Sequence, residues 1–504
     1  MTSPRVFFFG IDSAAPDLIV RWSEEGLLPN FRSLFERGTS ARAALPPLLG
    51  SGTMWTSIYT GTAPGTHGRY FYRQFDPRTY KAEDFRPTDV KAPPFWSQLA
   101  EQGVVPIVID FPVAPVCEGL PGVQIRDWGT CDPPYPEVRT WPPDLAGTIA
   151  AEFGVDPVEP CDAPDRTAEQ FQDFRDRMLR RIETKTELIL RFLERPDWDL
   201  HLAVYADGHC VGHNCWHLHD PGHPRHDPEY RRLHGDPVED VYRALDRALG
   251  RILERLPADT TVFAYSGTGF GPDHTANHLL DELLRRMDDT PPTPRIRALD
   301  ALKKVYRACV AKELRLRLTP LADRVEEGAS WRERRARRFF AVPHNDIGGA
   351  IRINVKGREA GGIVAPGDEY ERCCRELTQR LLELENLETG RPAVERVVRT
   401  AEVYPGVNQG LLPDLLVGWS REARLERLGS ARTGTVEGTH GTSRTGDHVS
   451  DGLLLVRGPG IPAGHRLTDL VAVEDLAPTI AAVLGKTLSG VDGKPVAELC
   501  PGRT

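Results

Sequence analysis

The sequence predicts an α/β fold, a three-layer sandwich built on a largely parallel central sheet. Two observations carry this expectation. Short, nearly continuous apolar runs recur along the chain, at Val6–Ile11, Val104–Phe111 (VVPIVIDF), His201–Tyr205 (HLAVY), Thr261–Tyr265 (TVFAY) and Leu453–Val456 (LLLV). Strands of a parallel sheet read this way because helices cover both faces, so neither face alternates with polar residues. The second observation is helical periodicity between or after these runs, as at Glu239–Leu256 and Leu476–Leu484. Strand–helix alternation of this kind closes through right-handed crossovers.

Taken in order, the first run ends at Gly10-Ile11-Asp12, and Pro16 then opens a helical pattern (DLIVRWSEEGLL), as Pro does at the first turn of a helix. Two stretches break the rhythm. Residues from about 112 to 170 are rich in Pro, Asp and Cys and read as a loop-dominated excursion. Residues 288–345 open with DDTPPTPR and continue as charged helical sequence. They are expected to form a cap or lid inserted into one α/β domain made of residues 1–287 and 346–504. Substrate specificity is expected to reside in such insertions.

Composition narrows the function classes. Of 504 residues 40% are hydrophobic and 27% charged, with a net charge of -9, which is ordinary globular usage. No long block of Lys and Arg exists, so a nucleic-acid polymer is not expected as the main partner. The densest basic stretch, WRERRARR at 331–338, reads as a solvated helix face. Arg352, Lys356 and Arg358 read as surface charge on a strand and turn. No apolar run reaches the roughly 20 residues of a membrane span. The apolar N-terminal stretch is too short for a signal peptide and ends at Asp12, so a cytoplasmic location is expected. The nine cysteines are scattered without a C-x-x-C pair, which suggests neither a disulfide framework nor a structural zinc site. Cys373 and Cys374 fall in a helical pattern as packed thiols. Oligomeric state is not legible.

Ligands of open α/β sheets gather at the carboxyl ends of the strands. That rule collects Asp12 after the first strand, Asp207, His209 and His213 after HLAVY, and Ser266, Gly267 and Thr268 after TVFAY. In LPPLLGSGTMWTSIYTGTAPGTHG (45–68), Pro and Gly precede Ser51 and a helical pattern follows. Ser51 is thus either a plain helix cap or a hydroxyl placed where exposed amides and the helix dipole attract an anion. The segment 207–227 holds six of the fifteen histidines. His209 and His213, at i, i+4, share one helical face as imidazole ligands of a metal do, whereas His217 to His226 read as a loop. His448 precedes the last apolar run and would complete a three-His site with an open coordination position. No G-x-x-x-x-G-K-[ST] loop, G-x-S-x-G elbow or G-x-G-x-x-G after the first strand is present.

The order of these motifs resembles the alkaline phosphatase superfamily, nearest to its type I phosphodiesterase/nucleotide pyrophosphatase branch. The segments are GID, PP...S-x-x-x-WTS...TG-x-x-PG-x-HG, a strand followed by H-x-x-G-H, S-x-x-GFGP, and GDH...DGLLL-x-RGPGI, spread over residues from about 5 to 485. The resemblance implies Zn2+, one or two ions, with Mn2+ as the other option, and a small-molecule phosphate ester as substrate. It implies Ser51 as nucleophile and metal ligand, Asp12 as carboxylate ligand, and His213 and His448 as histidine ligands. Attack by Ser51, a phosphoseryl intermediate and its hydrolysis follow.

Two positions depart from the family pattern. The usual D-x-x-x-H pair reads His209-x-x-x-His213, which keeps a ligand. The usual SDHGFGP reads SGTGFGP at 266–272, so an Asp-His ligand pair is absent at Gly267 and Thr268. Three outcomes stay open: Asp273, His274 or His278 replaces the pair; a single three-His metal suffices, with Ser51 or a water as nucleophile; or hydrolysis is lost. The expectation is a metal-dependent hydrolase of phosphate mono- or diesters. Its alternative is an altered or silent protein of the same fold that binds a phosphorylated ligand or performs a different group transfer. A sulfatase is disfavoured, since Ser51 is followed by Gly-Thr-Met rather than x-P-x-R.

Overall fold

The computed structural model describes residues 4–130, 138–158, 166–291, 294, 332–345, 347–439 and 444–500. The chain forms two compact units, the first made of Met1–Ala63, Arg86–Pro272 and Arg444–Thr504, the second of Pro64–Phe85 and Asp273–Ser443. These boundaries fall at 64, 86, 273 and 444 rather than at the 288 and 346 expected for an inserted cap. Most of that expected cap lies outside the described residues.

The first unit is the predicted sandwich. Its sheet runs His465–Arg466, Thr39–Ala44, Gly452–Arg457, Thr260–Ser266, Arg5–Ile11, Leu200–Tyr205, Pro106–Ile109, Val123–Arg126, Arg139–Trp141, with Val471–Ala472 also pairing the second of these. The five strands from Thr260–Ser266 to Val123–Arg126 are mutually parallel, and Gly452–Arg457 joins them antiparallel. The first strand shows why both faces read as apolar. Phe7, Phe9 and Ile11 enter one core with Trp22, Ile182 and Leu245, whereas Val6 and Phe8 enter another with Trp55, Leu99 and Ile480. Successive strand side chains point to opposite faces, and a helical layer covers each.

The excursion from about 112 to 170 is less loop-like than its composition. Val123–Arg126 and Arg139–Trp141 extend the sheet and Leu145–Phe153 is a helix. Strands of three or four residues are too short to overcome the Pro and Asp signal around them. Cys210 also departs from expectation, being disulfide-bonded, while Cys373 and Cys374 are buried free thiols on the Asp368–Leu382 helix.

The second unit has its own antiparallel sheet, Phe339–Ala341, Gly349–Ile353, Leu415–Trp419, Val394–Arg399, and its own core. Arg352 and Arg358 are not surface charges. Arg352 pairs with Glu359 at 2.7 Å and Arg358 with Asp414 at 2.7 Å, both carboxylates fully buried. Arg337, expected on a solvated face, is 1% exposed and pairs with Asp281 at 2.8 Å. A buried guanidinium is tolerated only with such partners. Among the described residues no helix is long and apolar enough to cross a membrane.

Candidate metal and phosphoryl site

The register of the parallel strands aligns their carboxyl ends. Ile11 lies opposite both Tyr205 and Ser266, so Asp12, the start of the Asp207–His219 helix and Gly267 leave the sheet at one level. The polar residues that the strand-end rule collected therefore share one rim.

His209 and His213 project from one face of the Asp207–His219 helix. His448 comes from the Gly446–Val449 strand, which pairs antiparallel with Gly269–Pro272 and sets His448 opposite Phe270. Gly212 lets the helix approach this ribbon, since a Cβ there would lie 2.7 Å from the Phe270 ring. The Thr445 amide donates to the His213 carbonyl at 2.7 Å and closes the contact. Nε2 of His213 then lies 3.2 Å from Nε2 of His209 and 3.1 Å from Nε2 of His448. Among the described residues these three form the one group able to hold a metal ion.

Two features fit this cluster to a cation. Three ligands of a tetrahedral ion with metal–nitrogen bonds of about 2.05 Å stand about 3.3 Å apart, close to the spacing found. Proton bookkeeping agrees. His213 Nδ1 donates to the Gly446 carbonyl at 2.9 Å, so its Nε2 is a lone pair. One lone pair does not serve two facing imidazole nitrogens, whereas a cation satisfies all three. Burial, aided by the charges of Arg444 and Arg181, pushes His209 down to about 3, and burial with Arg444 holds His213 well below the usual range. Both are therefore neutral, the form that ligates.

Around Asp12 the arrangement differs. Asp12 is 5% exposed, and Oδ1 accepts from the Trp55 indole at 2.7 Å. Trp55 belongs to the Ser51–Thr60 helix, in which Gly50 is the cap and Ser51 the first residue. Ser51 is half-buried and begins the helix that Trp55 anchors to the Asp12 rim. A Cβ on Gly267 would meet Met54 Cε at 2.7 Å, and Met54 Sδ accepts from the Tyr265 hydroxyl at 3.2 Å. A thioether thus fills the space beside Gly267 where a ligand carboxylate would project. Thr268 Oγ1 lies 2.7 Å from His448 Nδ1 and 2.5 Å from Ser13 Oγ. Ser13 has a left-handed backbone, φ 65, and the Ser266 hydroxyl, donating to the Ala14 carbonyl at 2.6 Å, braces the turn beside it.

The other candidates are engaged elsewhere. Asp207 Oδ1 accepts from Arg181 at 2.8 Å, both side chains fully buried. His274 Nδ1 meets the Arg421 carbonyl at 2.9 Å, and His278 Nε2 the Gly438 carbonyl at 3.0 Å. Neither these histidines nor Asp273 belongs to the three-imidazole cluster. His217 and His219 are not loop residues but the buried end of the helix, with His219 Nδ1 2.6 Å from Asp236. Sequence reasoning missed Ser13, Met54 and Arg444. Only Met54 carried a signal, its place one helical turn after Ser51.

Comparison with known proteins bears on the family and the fold. The sequence profile described as type I phosphodiesterase / nucleotide pyrophosphatase matches residues 6–443. No curated protein matches the chain by sequence. Among solved structures, murine ectonucleotide pyrophosphatase / phosphodiesterase 5 aligns over 97% of both chains, with 12% identity and a TM-score of 0.53. Phosphonoacetate hydrolase from Sinorhizobium meliloti 1021, in complex with phosphonoformate, aligns over 95% of both at 14% identity and 0.52. The alkaline phosphatase PafA aligns over 99% of both at 16% identity and 0.51. At such identities the structural likeness speaks for the fold.

Proposed function

The chain belongs to the type I phosphodiesterase / nucleotide pyrophosphatase family of the alkaline phosphatase superfamily, which makes it a metal-dependent phosphoric ester hydrolase, and from that premise we propose that it cleaves small-molecule phosphate mono- or diesters with Ser51 as nucleophile and a single divalent cation on His209, His213 and His448. The convergence of three imidazole Nε2 atoms at 3.1 and 3.2 Å is the observation that carries this reading. Zn2+ suits three neutral imidazoles best, with Mn2+ the other option. The cation, when bound, supplies Lewis-acid polarisation of a phosphoryl oxygen.

The chain's own residues do the rest. Ser51, at the first position of a ten-residue helix, stands where backbone amides and the helix dipole favour the phosphoryl anion. Its Oγ–P bond forms as the ester P–O bond breaks, and the hydroxyl proton passes to the leaving group or solvent. Water then cleaves the Oγ–P bond and restores the hydroxyl. Asp12 accepts from the Trp55 indole at 2.7 Å and is thereby tied to the helix that carries Ser51. The single-ion stoichiometry is supported by Gly267, Thr268 and Met54, which offer no carboxylate or imidazole.

The test is metal content per chain on untagged protein, with turnover of p-nitrophenyl phosphate and bis(p-nitrophenyl) phosphate. One ion, activity removed by chelator, and activity lost in Ser51→Ala are expected. Two ions per chain overturn the single-ion reading. Undiminished turnover by Ser51→Ala overturns the nucleophile.

A further inference from the structure

We propose that Thr268, backed by Ser13, is a positioning residue for the cation: its hydroxyl fixes the ring and tautomer of His448. The inference rests on the three-imidazole reading above and adds a role at a position where the family pattern has a ligand and this chain has none.

His448 is 4% exposed, and Thr268 and Ser13 are fully buried. No bulk water competes for the imidazole, so its proton placement is decided by the groups packed against it. Nδ1 faces the Thr268 hydroxyl at 2.7 Å, and Nε2 faces His213 at 3.1 Å. The Thr268 oxygen in turn meets Ser13 Oγ at 2.5 Å. When Nδ1 carries the proton, it donates to Thr268, Thr268 donates to Ser13, and Nε2 presents its lone pair to the same point as His213. When the hydroxyl chain runs the other way, Nδ1 becomes the acceptor, and the imidazole proton sits on Nε2 pointing at the place a cation would take. The polarity of two hydroxyls and the occupancy of the site are thereby linked.

His213 is fixed differently. Its Nδ1 donates to a backbone carbonyl, which accepts only, so its tautomer cannot reverse. His448 has a hydroxyl instead, so its readiness to ligate depends on Thr268. Groups that hold the outer nitrogen of a metal-bound imidazole typically contribute 10–100-fold in metal affinity.

The experiment is a Co2+ titration of chelator-treated wild type, Thr268→Val, Thr268→Ala and Thr268→Ser, read by visible d–d absorption. Thermal unfolding of the metal-free proteins reports whether each variant folds. The expected result is about 10–100-fold weaker binding in Val and Ala, with an altered band position, and near wild-type behaviour in Ser. Nitrogen-15 NMR of the zinc-loaded wild type should find His448 protonated at Nδ1. Equal or tighter Co2+ binding by both Val and Ala, or a Nδ1 lone pair in the loaded protein, overturns the inference while leaving the metal site standing. Failure of the wild type itself to bind Co2+ or Zn2+ instead overturns the reading on which it rests.

Discussion

The two halves of the rim solve opposite problems with the same scaffold. On one side a helix and a short ribbon bring the imidazoles of His209 and His448 to 3.2 and 3.1 Å from that of His213, and the outer nitrogens of His213 and His448 are tied to the frame. On the other, Asp12 is bonded to an indole, Gly267 has no side chain, and the Met54 thioether occupies the adjoining space. Loss of a ligand pair need not leave a void. Here Met54, Thr268 and Ser13 fill the space with a thioether and hydroxyls, and under the proposed reading this half holds no second cation. A Gly267 carboxylate cannot be restored alone, because the side chain that fills its place is part of the core containing Trp55 and Tyr265.

The largest effects should come from the three-imidazole half. His213→Ala removes the ligand that faces both of the others, and Zn2+ affinity should fall by more than the 10–100-fold typical of outer partners, measured by competition with a chromogenic chelator. Retained affinity would mean that the cation sits elsewhere and that the contrast between the halves is wrong. Next comes Ser51→Ala, which should reduce turnover of the p-nitrophenyl esters by about 10³-fold or more, as loss of a nucleophile does. Its metal content should be unchanged, which separates the helix terminus from the imidazole cluster.

Much of this was legible in the sequence, and the misses have physical causes. The sheet was readable because its central strands are buried on both faces and carry no polar alternation. The His209–His213 pair was readable because i, i+4 spacing fixes two side chains on one helical face. Edge strands such as Arg139–Trp141 were hidden, since three residues leave no period to detect. The buried pairs of Arg352 and Arg358 were hidden for another reason: a charge reads as surface until its partner, 7 residues away for Glu359 and 56 for Asp414, is brought to it by the fold. Ser13 was silent because its residue type announces no ligand site, and Met54 offered only its place one helical turn after Ser51. Their role is visible only as what they touch.

A gain-of-function series sharpens the contrast. Gly267→Asp alone should destabilise the protein by about 1–3 kcal/mol, because the new Cβ lies within 2.7 Å of Met54 Cε in a packed interior. Combining Gly267→Asp and Thr268→His with Met54→Ala should recover part of that loss and raise the metal content from one ion per chain toward two, by elemental analysis. If the triple variant still binds one, the repacking extends beyond these three side chains.

The smallest expected effect tests what holds the nucleophile's helix to the rim. Trp55 is fully buried, and its indole N–H donates to Asp12 Oδ1 at 2.7 Å. A hydrogen bond to a buried carboxylate contributes about 1.5–3 kcal/mol, but Trp55→Phe also removes ring volume from the core. A double-mutant cycle with Asp12→Ala, which leaves no acceptor for the indole, separates the two, since the cavity term cancels and the coupling remains. A coupling of about 2 kcal/mol in urea unfolding, accompanied by weaker turnover without loss of metal, would mean that the indole holds both Asp12 and the first turn bearing Ser51. A coupling near zero would assign the position of that turn to the packing of Trp55 against Phe111 and Tyr265, whose ring centroids lie 5.1 and 5.8 Å from its own. Asp12 would then stand apart from the placement of the nucleophile.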